Sequence, residues 1–300
     1  MKKYSEILKI NPIFQNSINL QFDINSEVKI NGYIPTKEAC SILRLYISSL
    51  LDDGCRNDRA TVLYGPYGKG KSFLVLVLLY LISTDSETEI YRRLLNRISD
   101  VDQDLVKLIE KLNKKKTRLL PVVVNSDYGD IEQAILVGLN EAFERESISV
   151  SSYKSTYDIA LEVVENWMKL SAPNQIIEKC VSQGKLDLES IYNGLRSKDT
   201  HVYEEFCNLY SCINGGMSFN PLTKNSILTT LQNINEVLPK EYSGVFIVFD
   251  EFSKFIESRA VGLSQQLKIL QDIFELAVRS DSKNQLHLCC INHKKLSAYS

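Results

Sequence analysis

The chain has 300 residues, of which 44% are hydrophobic and 24% are charged, as in an ordinary soluble globular protein. Its formal net charge of −2 excludes binding to nucleic acid through an overall positive charge, so any such contact would need a local basic patch. Seven scattered cysteines and only three histidines contain no C-x-x-C pair and no zinc-ligand spacing, which predicts reduced thiols in a cytosol rather than a metal site.

The first predicted element is a short strand, because residues 17–24 (SINLQFDI) alternate between polar and apolar. A helix follows, with Thr36 as the expected N-cap and apolar residues at helical spacing up to position 51. Residues 60–64 (ATVLY) indicate a buried strand, and the apolar run 73–82 indicates a helix that is buried on all sides. Residues 1–58 are therefore expected to be a lead-in that packs on a core starting at residue 59.

Farther along the chain, residues 85–118 form a charged helical pattern, residues 119–125 a β-branched strand, and residues 131–145 an amphipathic helix. Residues 150–240 show only helical patterns and loops, and this length predicts a separate helical insert. Two more apolar strands begin at Gly244 and at residue 285, with a helix between them. Continuous apolar strands that alternate with helices predict an α/β fold with a parallel sheet covered on both faces, formed by residues 59–149 and 241–300.

The stretch GPYGKGKS at residues 65–72 matches the pattern G-x-x-x-x-G-K-[S/T], with a predicted strand before it and a predicted helix after it. In that pattern the glycines let backbone N–H groups face phosphates, Lys71 reaches the β- and γ-phosphates, and the Ser72 hydroxyl binds Mg²⁺. A glycine turn with a chance lysine is the alternative, and Lys69 either contacts a phosphate or points to solvent. The predicted nucleotide-binding residues are Gly65, Pro66, Tyr67, Gly68, Lys69, Gly70, Lys71, Ser72 and Phe73.

Acidic residues follow the strand that begins at Gly244. The carboxyl ends of parallel strands are where open α/β sheets bind ligands, so we expect Asp250 to hold Mg²⁺ beside Ser72. Glu251 would orient and deprotonate the water that attacks the γ-phosphate. Alternatively, both acids cap the next helix. At the end of the last strand, Asn292 and His293 are candidates for positioning that water; Asn292 is the first choice because an amide does not titrate.

These segments, GPYGKGKS, VFIVFDE and LHLCCINH, resemble the Walker A, Walker B and sensor-1 elements of the additional-strand P-loop ATPases, a superfamily that includes AAA+ and STAND proteins. The resemblance covers residues 60–140 and 240–295. It implies a P-loop NTPase sheet in the order 5-1-4-3-2, ATP and Mg²⁺ as ligands, and a catalytic glutamate, here Glu251, with Lys71 and a sensor at Asn292.

A looser resemblance connects the segment from Phe249 onward to the large ATPases of bacterial anti-phage defence systems. In such proteins the segment corresponding to residues 30–36 (INGYIPT) contacts the adenine, which implies roles for Tyr33 and Ile34. The family has a fifth strand and a lid after the sensor strand. Because the sequence ends soon after that strand, it is expected to be an N-terminal fragment of a longer protein.

Three functions are compatible with these motifs. The first is an ATPase that powers a defence or DNA-processing complex; the second is a slow nucleotide-gated switch that acts through a partner; the weakest is a small-molecule kinase. A homo-oligomer or partner subunits are expected. Basic residues at 111–118 and at 294–295 raise the possibility of DNA contact, although such runs are usually solvated helix faces. The longest apolar run is shorter than the roughly 20 residues that span a membrane, so no membrane partner and a cytoplasmic location are expected.

Overall fold

The computed structural model describes residues 17–51, 56–125, 130–148, 156–169, 175–217, 219, 227–257 and 263–293. The chain divides into two compact units: Met1–Ile148 together with Leu231–Ser300, and Ser149–Thr230. The segment predicted as a helical insert thus ends at Thr230 rather than at residue 240. Among the described residues, no helix combines the length and the apolar character needed to cross a membrane.

The first unit is built on a sheet of four parallel strands in the order β1-β4-β3-β2. Each strand was predicted from its apolar run, and the sheet confirms the α/β class. Within the described part of the chain, this sheet contains no fifth strand. The strands are β1 (Ala60–Tyr64), β2 (Arg118–Val124), β3 (Tyr242–Phe249) and β4 (Gln285–Asn292).

Helices cover both faces of this sheet. Strand residues such as Phe246 and Cys289 belong to a core cluster with helices that precede β2, whereas the neighbouring residues Ile247 and Cys290 are equally buried and belong to the opposite face. The helices of this unit are α1 (Leu20–Asp23), α2 (Glu27–Gly32), α3 (Lys37–Leu50), α4 (Lys71–Ser83), α5 (Glu89–Ser99), α6 (Gln103–Lys115), α7 (Ile131–Arg145), α13 (Phe252–Glu257) and α14 (Leu263–Arg279).

Two of these helices show directly how the sequence specifies them. Helix α3 begins as predicted, because the Thr36 hydroxyl accepts a hydrogen bond from the Ala39 N–H (3.2 Å). Helix α4 has no polar face between residues 74 and 82, and all of these residues are buried. It is therefore enclosed by the protein, which fixes the point at which the preceding loop joins the helix.

The prediction of a strand at residues 17–24 is wrong, because this segment contains helix α1. The Asn19 side chain accepts a hydrogen bond from the Gln21 N–H (3.0 Å), and the Asp23 carboxylate accepts one from the Asn19 N–H (2.9 Å). Such local bonds compete with strand pairing. The apolar residues also do not share one buried face, since Leu20 and Ile24 are buried while Phe22 is 84% exposed.

The second unit is helical. It contains α8 (Thr156–Lys169), α9 (Gln175–Gln183), α10 (Leu188–Arg196) and α11 (Thr200–Ile213), and α12 (Ile227–Gln232) spans its end. Its core includes Val164, Leu195 and Phe206. Cys180 on α9 and Cys212 on α11 form a disulfide, so the prediction that all thiols are reduced is wrong for this pair.

Candidate nucleotide site at the carboxyl edge of the sheet

The candidate site lies where the four strands end. Because the strands are parallel, the residues that follow them meet along one edge of the sheet. A cavity of about 570 Å³ opens at this edge, within the range of small-molecule sites. It is lined by residues 67–73, residues 123–125, Asp250, Glu251, His293 and four residues of the segment 17–21.

The glycine-rich loop, residues 65–72, connects β1 to α4. Gly68 and Gly70 have φ of 73° and 75°, a backbone conformation that side-chain-bearing residues rarely adopt, and Gly70 precedes the first residue of α4. An added Cβ at either glycine would meet no atom within 4 Å, so the backbone conformation rather than lack of space requires glycine here. The loop thus lines the cavity and leads into the N-terminus of α4, an arrangement that suits an anion.

Lys71 reaches back into this loop. Its ammonium donates hydrogen bonds to the carbonyl oxygens of Gly65 (2.6 Å) and Pro66 (2.9 Å), and it lies 3.5 Å from His293 Nδ1. Burial lowers the pKa of Lys71, while the charge of Asp250 opposes that change. Lys69, in contrast, is exposed although it borders the cavity.

Ser72 and Asp250 are brought together as the sequence predicted. The Ser72 hydroxyl donates to Asp250 Oδ1 at 3.3 Å, although the two residues are 178 positions apart in the chain. Burial raises the pKa of Asp250, and the hydrogen bond from the Glu251 N–H (3.0 Å) partly offsets this. Among the described residues, no group of three or more His, Cys, Asp or Glu could hold a metal ion. A hydroxyl and one carboxylate suit Mg²⁺, which keeps several waters and binds substrate phosphates.

Glu251 borders the cavity beside Asp250, as expected for a residue that acts on a bound phosphate. Its backbone is left-handed, with φ of 53°, which is uncommon for a residue other than glycine. Its carboxylate forms an ion pair with Lys254 on α13, and the side chain is 39% exposed. The predicted base is therefore present, and in this structure it is paired with a cation.

At the end of β4, the structure brings His293 rather than Asn292 to the cavity. Asn292 pairs with Tyr64 inside the sheet, is fully buried and does not line the cavity, and its side-chain amide has no hydrogen-bond partner among the described residues. His293 is the first residue past the strand, and burial, followed by the charge of Lys71, lowers its pKa. His293, the residue after Asn292, is therefore the one at the end of β4 that can contact a ligand in the cavity.

The predicted adenine contacts are not at the cavity. Tyr33 is 5% exposed and packs edge-on against Phe73, with ring centroids 5.1 Å apart, while Ile34 is 68% exposed. Instead, Ser17, Ile18, Asn19 and Gln21 line the cavity at the start of α1. The sequence analysis missed them because it took this segment for a strand; the Asn19 capping signal could have indicated a helix start.

The basic run at 111–118 is partly engaged within the first unit. Lys115 donates to the Leu51 carbonyl oxygen (2.9 Å), and Arg118 lies 3.7 Å from Asp85. Lys294 and Lys295 lie outside the described residues. DNA binding therefore gains no support from this run.

Comparison of the chain with protein-family models, with curated protein sequences and with solved structures found no match. No residue role can be transferred from a relative. Any functional assignment depends on the geometry of the loop, Asp250, Glu251 and His293.

Proposed function

We propose that the chain binds ATP with Mg²⁺ and hydrolyses it. The observation that carries this proposal is the 3.3 Å contact between Ser72 Oγ and Asp250 Oδ1 at the mouth of the glycine-rich loop. If residues 65–72 were only a turn with a chance lysine, nothing would explain why Asp250, which follows the buried strand β3, contacts Ser72. The strand order β1-β4-β3-β2 also corresponds to four strands of the 5-1-4-3-2 order that the resemblance implies.

Ser72 and Asp250 would hold the Mg²⁺, and the ion would neutralise charge on the phosphates. The raised pKa of Asp250 fits this role, because a carboxylate with unfavourable burial gains most from a nearby cation. Lys71 fits its role as well. Its ammonium contacts the loop carbonyls of Gly65 and Pro66 and the His293 ring, and phosphate oxygens are stronger acceptors for a cation than carbonyls are.

Hydrolysis requires a base for the attacking water, and we assign this role to Glu251 because it borders the cavity beside Asp250. The water oxygen bonds to the γ-phosphorus as the bond from that phosphorus to the β–γ bridging oxygen breaks, which gives ADP and phosphate. The proton of the water passes to the Glu251 carboxylate and then to solvent. Glu251 must leave Lys254 to do this, because an ion-paired carboxylate is a weaker base.

His293 supplies a hydrogen-bond donor in the place predicted for Asn292. Lys71 can only donate, so the contact with His293 Nδ1 requires Nδ1 to accept, which places the proton of the neutral ring on Nε2. Nε2 is buried and has no hydrogen-bond partner among the residues that the structure describes. A buried donor without an acceptor is unfavourable, and a phosphate oxygen would satisfy it.

The test is steady-state ATP hydrolysis by the purified chain with Mg²⁺, with and without double-stranded DNA. Glu251→Gln should lower turnover by about 100-fold or more, the usual contribution of a general base, while ATP binding measured by calorimetry persists. Glu89→Gln is the matched control, because it makes the same chemical change at an exposed position of α5, and it should leave turnover unchanged. Absence of ATP binding by the parent chain, or full turnover by Glu251→Gln, would overturn the proposal.

A second candidate is a switch that binds ATP and hydrolyses it slowly, signalling to a partner. The Glu251–Lys254 ion pair favours a slow switch, because an ion-paired carboxylate is a weaker base for the attacking water. The pair is partly exposed and contributes about 0.2–1 kcal/mol, so Lys254→Gln should raise single-turnover hydrolysis by up to about fivefold. Lys254→Arg keeps the charge and should not change the rate of hydrolysis.

Stimulation of hydrolysis by DNA would support a role in a DNA-processing or anti-phage complex. Homo-oligomerisation can be followed by light scattering with and without ATP.

A further inference from the structure

An aromatic pair joins the glycine-rich loop to the end of β4. The Tyr67 side chain is 68% exposed, yet its ring stacks on the His293 ring with centroids 3.4 Å apart and an interplanar angle of 20°. Phosphate binding by such a loop uses backbone N–H groups and Lys71, and it makes no demand for an aromatic residue at position 67. The stack therefore needs an explanation other than direct phosphate contact.

His293 is fixed from two other directions. Its backbone N–H donates to the Ser253 hydroxyl (3.2 Å). Ser253 is buried on α13, the helix that begins directly after Glu251. Its Nδ1 lies 3.5 Å from the Lys71 ammonium. The Tyr67–His293 stack thus connects the loop to the elements that carry Lys71 and the acidic pair.

We propose that the Tyr67–His293 stack is a latch that holds the glycine-rich loop in the shape that binds phosphates, with Tyr67 as a positioning residue that acts through His293. This inference rests on the proposed nucleotide site. A loop with two left-handed glycines has many accessible conformations, and nucleotide binds only the fraction of molecules in which the loop is correctly shaped. The stack increases that fraction because it links the exposed loop to a residue anchored at the sheet edge.

The expected effect follows from the strength of such pairs. Loss of one aromatic pair should raise the dissociation constant for ATP by about 2- to 10-fold, because such a pair stabilises the conformation of the loop that binds ATP. The effect should depend on the ring and not on the hydroxyl of Tyr67, so Tyr67→Phe should bind ATP within about twofold of the parent. Since Tyr67 acts through His293, Tyr67→Ala should have no further effect once His293 is replaced by alanine.

The experiment measures the dissociation constant of a fluorescent ATP analogue with Mg²⁺ in a Glu251→Gln parent, which does not consume the nucleotide. The variants are Tyr67→Ala, Tyr67→Phe, His293→Ala and the Tyr67→Ala/His293→Ala double variant. Tyr64→Ala is the matched control, because Tyr64 is a nearby tyrosine, 54% exposed, that does not line the cavity. Melting temperatures identify any variant that fails to fold, and Tyr67→Phe still tests the proposal if an alanine variant does so.

Each outcome separates the latch from its competitors. Weaker binding in both single variants with no added loss in the double variant supports the latch. Additive losses would show that Tyr67 contacts the nucleotide itself, and tighter binding by Tyr67→Ala would show that the stack holds the loop shut; either result overturns the proposal. If the Glu251→Gln parent and the wild-type chain both fail to bind the analogue, the proposed function fails and the latch fails with it. If they bind and the variants do not differ, only the latch fails.

Discussion

Among the glycines that the structure describes, Gly244 in β3 is the one whose replacement would meet the closest contact. Its φ is 149°, and a Cβ added there would lie 1.8 Å from the carbonyl oxygen of Gln285, its partner on β4. Gly244→Ala must therefore accept a backbone conformation almost confined to glycine and also push two paired strands apart. Each of these effects costs about 1–3 kcal/mol, so we expect a loss of about 2–6 kcal/mol in the free energy of unfolding.

For a unit of this size, each kcal/mol lowers the melting temperature by about 2–4 °C, so Gly244→Ala should melt at least about 4 °C lower. The assay is thermal unfolding followed by circular dichroism. Gly68→Ala is the control, because Gly68 also has positive φ but nothing lies within 4 Å of an added Cβ. It should be destabilised by backbone strain alone, about 1–2 kcal/mol. If Gly244→Ala melts no lower than Gly68→Ala, the close approach of β3 to β4 at this residue is wrong.

Two further predictions concern electrostatics and the insert. Burial opposes ionisation of Asp102, but hydrogen bonds from the Leu105 N–H and Arg44, and the Arg44 charge, outweigh it and lower the pKa. A lowered pKa stabilises the fold above the unfolded pKa of Asp, so Asp102→Asn, which keeps the helix cap, should lower the melting temperature by about 2–4 °C at pH 7. That difference should vanish as pH falls through the folded pKa of Asp102; a constant difference down to pH 2 would contradict the ion pair. The Cys180–Cys212 disulfide closes a loop with a sequence separation of 32, so Cys180→Ser should destabilise the insert by about 4 kcal/mol. The fluorescence of Trp167, the single tryptophan, reports on that unit, and a reductant should shift the wild-type transition to that of the variant and leave the variant unchanged.

The parts of the site that the sequence predicted are those determined by adjacent residues. The glycine-rich loop needs a left-handed backbone conformation at Gly68 and Gly70. Because only glycine adopts this conformation freely, the glycines in the sequence indicate the loop directly. Asp250 follows an unbroken apolar strand, which places it at the carboxyl edge of a parallel sheet whatever the neighbouring strands are. These local requirements are also why the four strands were located to within a residue or two.

The parts that were missed depend on contacts between distant residues or on a one-residue register. Asn292 and His293 are adjacent, but successive strand residues face opposite ways, so an error of one position exchanges a cavity residue for a buried one. The pairing of Cys180 with Cys212 could not be chosen among seven cysteines without the packing of α9 on α11. The 17–21 segment reaches the cavity only through tertiary packing, which its own alternation does not encode.

In the proposed mechanism, the side chains of Lys71 and Glu251 must each leave a neighbouring group before they can act. Lys71 is held by the carbonyls of Gly65 and Pro66, and Glu251 is held by Lys254. The two restraints differ in strength, because the Lys71 ammonium is partly buried with short hydrogen bonds whereas the Glu251 pair is largely open to solvent. Phosphate can replace the carbonyls around Lys71 directly, since it binds at the same loop. Release of Glu251 requires only that its weak ion pair with Lys254, near the start of α13, be broken. The same helix also anchors His293 through Ser253. In this mechanism, α13 carries the partner of Glu251 and also anchors the Tyr67–His293 stack, so a partner protein that moves α13 would change both the rate of hydrolysis and the affinity for ATP.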